Sequence, residues 1–250
     1  MAAAAWPAPV DAATGGARRE QGEAFAADGP RRLLYRETHY VLPGPDPERW
    51  VLYRCPDGRP FARKHVQAAG RAAAPDFAFE DARDGYREGV RGAPGPRTVY
   101  VRADGRTEAE RGLPVPADGV IDAGFDAAVR THWAALMRGE TVRLRFLVPA
   151  RKQFFPVKVR RVGAVQWKGV PAERLRMSLD TWFGFAVPDV ALVYARDDRR
   201  LLEFNGTGNV RDRRGRNPQV RIAFAQPPQQ AGAAEVAAVA ALPLDGRCGF

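Results

Sequence analysis

From Val142 to Phe224 the chain reads as one short strand after another. Val142, Leu144, Phe146 and Val148 alternate with Arg143 and Arg145, the period-2 pattern of a strand with one wet face. Further strand signals follow at Phe154–Val162, where Pro156 marks an edge or a bulge, and at Arg174–Leu179, Val190–Ala195, Leu201–Phe204 and Gln219–Phe224. Turn signals fall about every 10 residues, which suits an antiparallel meander and leaves no room for parallel βαβ units.

The first half continues the theme. Leu33–Val41, Trp50–Arg54 and Phe61–Val66 are rich in aromatic and branched residues, and Pro56-Asp57-Gly58-Arg59-Pro60 joins the last two as a hairpin. Asp-Gly turns recur at Asp84-Gly85, Asp104-Gly105 and Asp118-Gly119, with a strand pair expected at Thr98–Val101 and Arg106–Glu110. One helix interrupts the strands. Phe125, Val129, Trp133 and Leu136 share a helical face, Asp122 is a natural N-cap, and Gly139 is a natural stop. The fold class expected is therefore α+β, mainly β: a curved antiparallel meander or open barrel with one amphipathic helix over about 123–138. Residues 1–30 read as a leader and tether, 31–226 as one β-rich domain, and 227–250 as an alanine-rich flexible tail in which 234–242 form a weak helix or stay disordered. A split near residue 120 is the alternative.

Met1–Ala13 is small and apolar with a plausible cleavage site near Asp11-Ala12-Ala13, like the end of a secretory signal, yet no basic segment precedes it. Export to the periplasm or beyond is one expectation and a cytoplasmic protein the alternative. The two cysteines, Cys55 and Cys248, fit either: in an oxidising compartment they would pair and pin the tail, and otherwise they are unrelated thiols. No apolar run approaches the ~18 residues of a membrane-spanning helix.

The charge is uneven. The formal net charge is +10, and the segment from Arg151 to Phe224 holds 16 basic and 7 acidic residues. Only four of the 39 basic residues are lysine, a bias that GC-rich coding produces by itself, so basicity here is weak evidence of an anionic partner. None of the familiar nucleic-acid recognition motifs is present, which makes nucleic acid an unlikely partner. His39, His65 and His132 are scattered and no metal-ligand spacing occurs, so neither metal nor cofactor is expected. The carboxylates around Asp76, Glu80, Asp81, Asp84 and Glu88 are interleaved with Arg83 and Arg87, which points to local ion pairing. Ser178, the single serine, lacks a nucleophile elbow, and Gly206-Thr207-Gly208-Asn209 lacks the lysine and helix of a phosphate loop.

What remains is a short roster of candidate binding residues. Trp182 and Phe183 lie in a glycine-containing connection where they would line a cavity mouth, with Trp167 nearby. Asn209, Arg211 and Asp212 form the turn after the Phe204 strand. Arg143, Arg145, Arg211 and Arg221 would clamp an anionic substrate if their strands brought them together.

The segments Leu52–Lys64, Asp122–Asp126 and Gly206–Asp212 resemble those of uncharacterised, exported β-rich bacterial proteins of unknown function, and the resemblance spans most of 33–224. It implies a periplasmic or envelope setting and brings no known activity. Together these readings favour a non-enzymatic envelope protein that binds a lipid-like or other amphipathic ligand, or an envelope component. A small enzyme for an anionic substrate and a nucleic-acid or anionic-surface binder are the alternatives.

Overall fold

The computed structural model describes residues 16–27, 32–68, 70–103, 106–180 and 188–249. Its framework is a single mixed sheet, almost wholly antiparallel, accompanied by three short helices among the described residues. The first strands are β1 (Ala17–Ala26), β2 (Leu33–Leu42), β3 (Glu48–Arg54), β4 (Pro60–Gln67), β5 (Asp76–Asp81), β6 (Tyr86–Arg91), β7 (Arg97–Arg102), β8 (Ala109–Leu113) and β9 (Gly119–Val120). Helices α1 (Gly124–Thr131) and α2 (Trp133–Met137) follow. Then come β10 (Val142–Val148), β11 (Gln153–Trp167), β12 (Val170–Leu179), β13 (Val190–Ala195), β14 (Leu201–Thr207), β15 (Gln219–Ala223), β16 (Gln229–Ala231) and α3 (Ala233–Ala241).

The strand order runs from β8 back to β1, crosses to β15, and returns through β10 to β9. The two edges of this path, β8 and β9, are consecutive in the chain. Leu113 and Gly119 are six residues apart and so cannot be separated by more than about 21 Å. Laid flat, fifteen strands would hold those edges some 65–70 Å apart. The sheet must therefore curl almost onto itself, an open barrel whose seam is bridged by side chains. Arg71, in the β4–β5 loop, donates to the carbonyls of Pro116, Ala117 and Gly119 at 2.8, 2.9 and 2.9 Å. The Ile121 amide reaches Ala73 O at 3.0 Å.

Helices α1 and α2 lie on the inner face. Asp126 of α1 accepts from Arg49 on β3 (3.2 and 3.3 Å) and from the Tyr194 hydroxyl on β13 (2.9 Å). Those strands stand five places apart in the sheet, about 24 Å along a flat surface, so one carboxylate joins opposite walls. Phe125, Val129, Trp133 and Leu136 are buried as the helical spacing requires, against Val142, Leu144, Val157, Val159, Leu175 and Leu192. Two details differ from expectation. The helix breaks at His132, and Asp122 is no N-cap: Ala123 holds that position, and Asp122 adopts φ 44° and accepts from Lys64 Nζ at 2.6 Å. The ion pair with a strand lysine, mostly withdrawn from water, outcompetes the capping bond.

Both chain ends are more ordered than their composition suggests. Residues 17–26, expected within a tether, form β1 at the centre of the sheet between β2 and β15. Its inward positions are small because neighbours fill the space: a Cβ on Gly22 would stand 2.8 Å from the Phe224 ring. The tail expected to be flexible forms β16, paired with β1, and α3. Val236 and Val239 of α3 cover Tyr40, Leu42, Trp50 and Leu52 on the outer face of β2 and β3, and Arg63 donates to the helix-end carbonyls of Val239 (2.9 Å) and Ala240. An alanine-rich helix is marginal alone; an apolar sheet face makes it stable. Cys55 and Cys248 form a disulfide with a Cα–Cα distance of 5.8 Å, tying the tail to the β3–β4 hairpin.

Two stability outcomes follow. Trp133→Ala should destabilise the protein by roughly 3–5 kcal/mol, measured by chemical denaturation, because the indole fills the inner core. Cys248→Ser should cost roughly 2–5 kcal/mol, since the bridge spans a sequence separation of 193 residues and constrains the unfolded chain strongly.

Candidate functional site

The register places the β3–β4 and β5–β6 turns, the connection 208–218, the end of β12 and the start of β13 at one end of the barrel, which also carries the disulfide. Two features meet the solvent there.

The first is an apolar strip. Phe146 of β10, Met177 and Leu179 of β12, Val190 of β13 and Phe204 of β14 point to the inner face, pack on the helix-lined core, and remain half-buried. Met177 stands opposite Val190 in the register, and the Phe146 ring meets Phe125 of α1 edge-on at 6.2 Å. Strand alternation puts these side chains inside; α1 and α2 pack toward the opposite end, with Trp133 against Tyr194, and leave the strip partly uncovered. The segment 181–187, which holds Trp182 and Phe183, lies outside the described residues.

The second is the segment 208–217, folded across the barrel end. Asn209 Nδ2 donates to the Tyr53 hydroxyl at 3.2 Å, and Val210 is buried in the inner core. Arg211 pairs with Asp84 (3.2 Å) and donates to Gly215 O (2.9 Å). Asp212 accepts from the amides of Arg216 (2.9 Å) and Arg214 (2.8 Å), and the Arg216 amide above all holds its carboxyl below the ordinary aspartate range. Asn209, Arg211 and Asp212 thus brace their own loop, and the loop brings Arg213 and Arg214 beside Arg83 and Cys248 around a cavity of about 430 Å³.

The other expected groupings do not form. Trp167 lies at the far end of the β11–β12 hairpin, nine residues along β12 from Leu179, or about 30 Å. It sits on the outer face, packed near Ala172 and Leu202, and its Nε1 donates to Glu203 at 3.0 Å. The anion clamp fails on strand geometry. Arg143 and Arg145 alternate with inward-facing Val142 and Leu144, so they point outward, pairing with Asp180 (3.0 Å) and Asp118 (3.5 Å). Arg221, five strands away, pairs with Glu203 at 2.8 Å, and Arg211 belongs to the end loop. The histidines are apart, as their scatter in sequence implies: His65 stacks on Trp50 on the outer face, while His39 meets Phe224 and Glu37 on the inner one. Among the described residues, no group of three or more histidine, cysteine or carboxylate side chains is placed to hold a metal ion. Of the Asp76–Glu88 carboxylates, Asp81 pairs with Arg83 (2.6 Å) and Glu80 with Arg87 (3.5 Å) as expected, whereas Asp76 and Asp84 pair with the more distant Arg97 (2.5 Å) and Arg211 (3.2 Å).

The inner wall also carries charge. Lys64 pairs with Asp122 and lies within 5.7 Å of the Phe77 ring centre, and the Tyr86 hydroxyl donates to Glu88 at 2.7 Å. Burial lifts the Glu88 carboxyl above its ordinary range, outweighing the Tyr86 bond and the Lys64 charge. The folded state thus keeps this proton to higher pH than the unfolded chain. Its contribution to stability is complete below the unfolded value of about 4.3 and is lost as pH rises through the raised folded value. Wild type should therefore lose more stability than Glu88→Gln between about pH 4 and pH 8, read from paired denaturation curves; parallel pH profiles would contradict this.

The sequence matches no protein-family model, and no curated protein matches it. Solved structures do. A β-barrel-like protein of a domain of unknown function, DUF1849, from Brucella abortus is similar with 6% identity and a TM-score of 0.55, over 87% of this chain and 99% of that one. A DUF1329 family protein from Desulfovibrio piger (10% identity) and a proposed outer membrane lipoprotein-sorting protein domain from Vibrio parahaemolyticus (8% identity) match over 91% of each chain. Their TM-scores of 0.31 and 0.30 are too low to carry an argument. The strand topology and the Brucella likeness together show a β-barrel-like fold.

Proposed function

We propose that the protein is a non-enzymatic, exported binder of a hydrophobic or amphipathic ligand, whose apolar part lies along the inner strip at the disulfide end of the barrel. The observation that carries this reading is the incomplete burial of Phe146, Met177, Leu179, Val190 and Phe204 on a concave face. Grouped apolar side chains left half-open to water are unfavourable unless something covers them, and concave apolar surface is where small ligands are held. Methionine supports the reading, because its unbranched side chain repacks around ligands of varied shape. The disulfide supports export, since such bridges persist in oxidising compartments. No helix among the described residues is long and apolar enough to cross a membrane, which suits a carrier that meets lipid as a ligand.

The test is a titration with a fluorescent long-chain fatty acid. Wild type should bind it saturably. Met177→Asp/Leu179→Asp should weaken binding at least about tenfold, the loss of two apolar contacts and the gain of two charges each exceeding that factor. Val162→Asp, on the exposed part of β11, should leave it unchanged. Absence of saturable binding by wild type, or equal affinity in the double variant, would contradict the proposal.

A further inference from the structure

We propose that the cavity at the barrel end is an anion site for a phosphate-class group, formed only while the disulfide holds the tail in place. Its walls are four arginines (Arg83, Arg211, Arg213, Arg214) and two aspartates (Asp84, Asp212), closed by Gly246 and Cys248 of the tail. This inference does not depend on the apolar strip.

The two carboxylates are already engaged in building the site. Asp212 accepts from two amides of its own loop, and Asp84 accepts from the Tyr86 amide (3.0 Å) and pairs with Arg211. Two of the arginines are fixed. Arg83 is held by Asp81 and by Arg211 O (2.8 Å) over the Phe61 ring, and Arg211 lies over the Tyr86 ring at 4.6 Å. Arg213 and Arg214, which complete the lining, have no carboxylate partner among the described residues. The cavity is thus a positive concavity with aromatic walls behind it, and its guanidinium forks match the oxygens of a phosphate group. Its 430 Å³ also exceeds what a single small ion fills, so a phosphoester or diphosphate fits better than chloride.

The tail is a structural wall. The Asp245 amide donates to Pro60 O at 2.7 Å, and Gly246 passes so close to the Ala82–Arg83 turn that a Cβ there would stand 2.7 Å from Ala82 O. Cys248 sits two residues on and is fixed to Cys55, so cutting the bridge would free one side of the cavity.

Two probes distinguish the sources of such a group: inorganic pyrophosphate by calorimetry, and phosphatidylcholine vesicles containing phosphatidic acid by flotation. Binding in the first arm alone assigns a soluble phosphate compound, and binding in the second assigns a lipid headgroup; either supports the site. Arg213→Gln/Arg214→Gln should weaken binding at least about tenfold, each lost charged hydrogen bond accounting for about that factor or more. Cys248→Ser should weaken it with every arginine in place. Arg143→Gln/Arg145→Gln removes the same charge from the outer face and should change affinity by no more than about twofold. Arg214→Gln alone serves if the double variant melts early. No saturable binding in either arm would overturn the proposal. So would an equal loss in the outer-face variant, which would mark a general field effect.

Discussion

The six-residue span from Leu113 to Gly119 joins the two edges of a sheet that would be more than three times wider if flat. Curvature is thus imposed by chain connectivity, and most of the remaining structure answers to it. Curling creates an inner face that strand side chains fill on one side and α1 with α2 fill on the other. It places β3 and β13 opposite each other, where Asp126 can bond both. It also brings Leu147 of β10 into the same core as Phe61 and Phe79, so the seam is closed by packing and by Arg71 without a final ladder of strand pairing.

The arginines have a less dramatic role than their number suggests. Many pair with carboxylates nearby in the fold, as Arg143 does with Asp180, Arg221 with Glu203 and Arg138 with Glu140. Glu173 is the instructive case. Burial acts to raise its carboxyl, but hydrogen bonds from Arg161 and Arg196 outweigh that effect and hold it low. Where both partners are exposed, as at Arg138–Glu140 (2.7 Å), such pairs add little stability. Arg213 and Arg214 stand apart because neighbouring carboxylates are committed to the loop that presents them.

Period-2 alternation and Asp-Gly turns are local signals, so β2–β4, β7, β10–β15 and the Phe125–Leu136 stripe were legible in the sequence, whereas β5 and β6 were masked by their charged residues and β8 begins at Ala109, three residues past the expected Arg106. The elements it hid are those whose stability comes from elsewhere in the chain. Gly22 and Ala24 look like linker residues because Phe224 and Ile222 occupy the space their side chains would need. The alanines of α3 look disordered until the outer face of Trp50 and Tyr40 is set beneath them. Asp122 carries an N-cap signature and makes a long-range ion pair instead. The site was less legible still. Asn209, Arg211 and Asp212 were visible as a turn, but Arg83 joins them from 128 residues away in sequence, and no local pattern announces that meeting. Met177, Leu179 and Val190 read as ordinary strand residues, because half-burial depends on where distant helices pack.

A distance across the seam reads the curl of the sheet. Spin labels at exposed Glu110 on β8 and exposed Arg143 on β10 can be read by pulsed electron resonance. A curled sheet predicts a single distance of about 20–30 Å, set by the short connection and the label arms. A distribution centred beyond about 45 Å would mean that the sheet lies open, and would contradict the account.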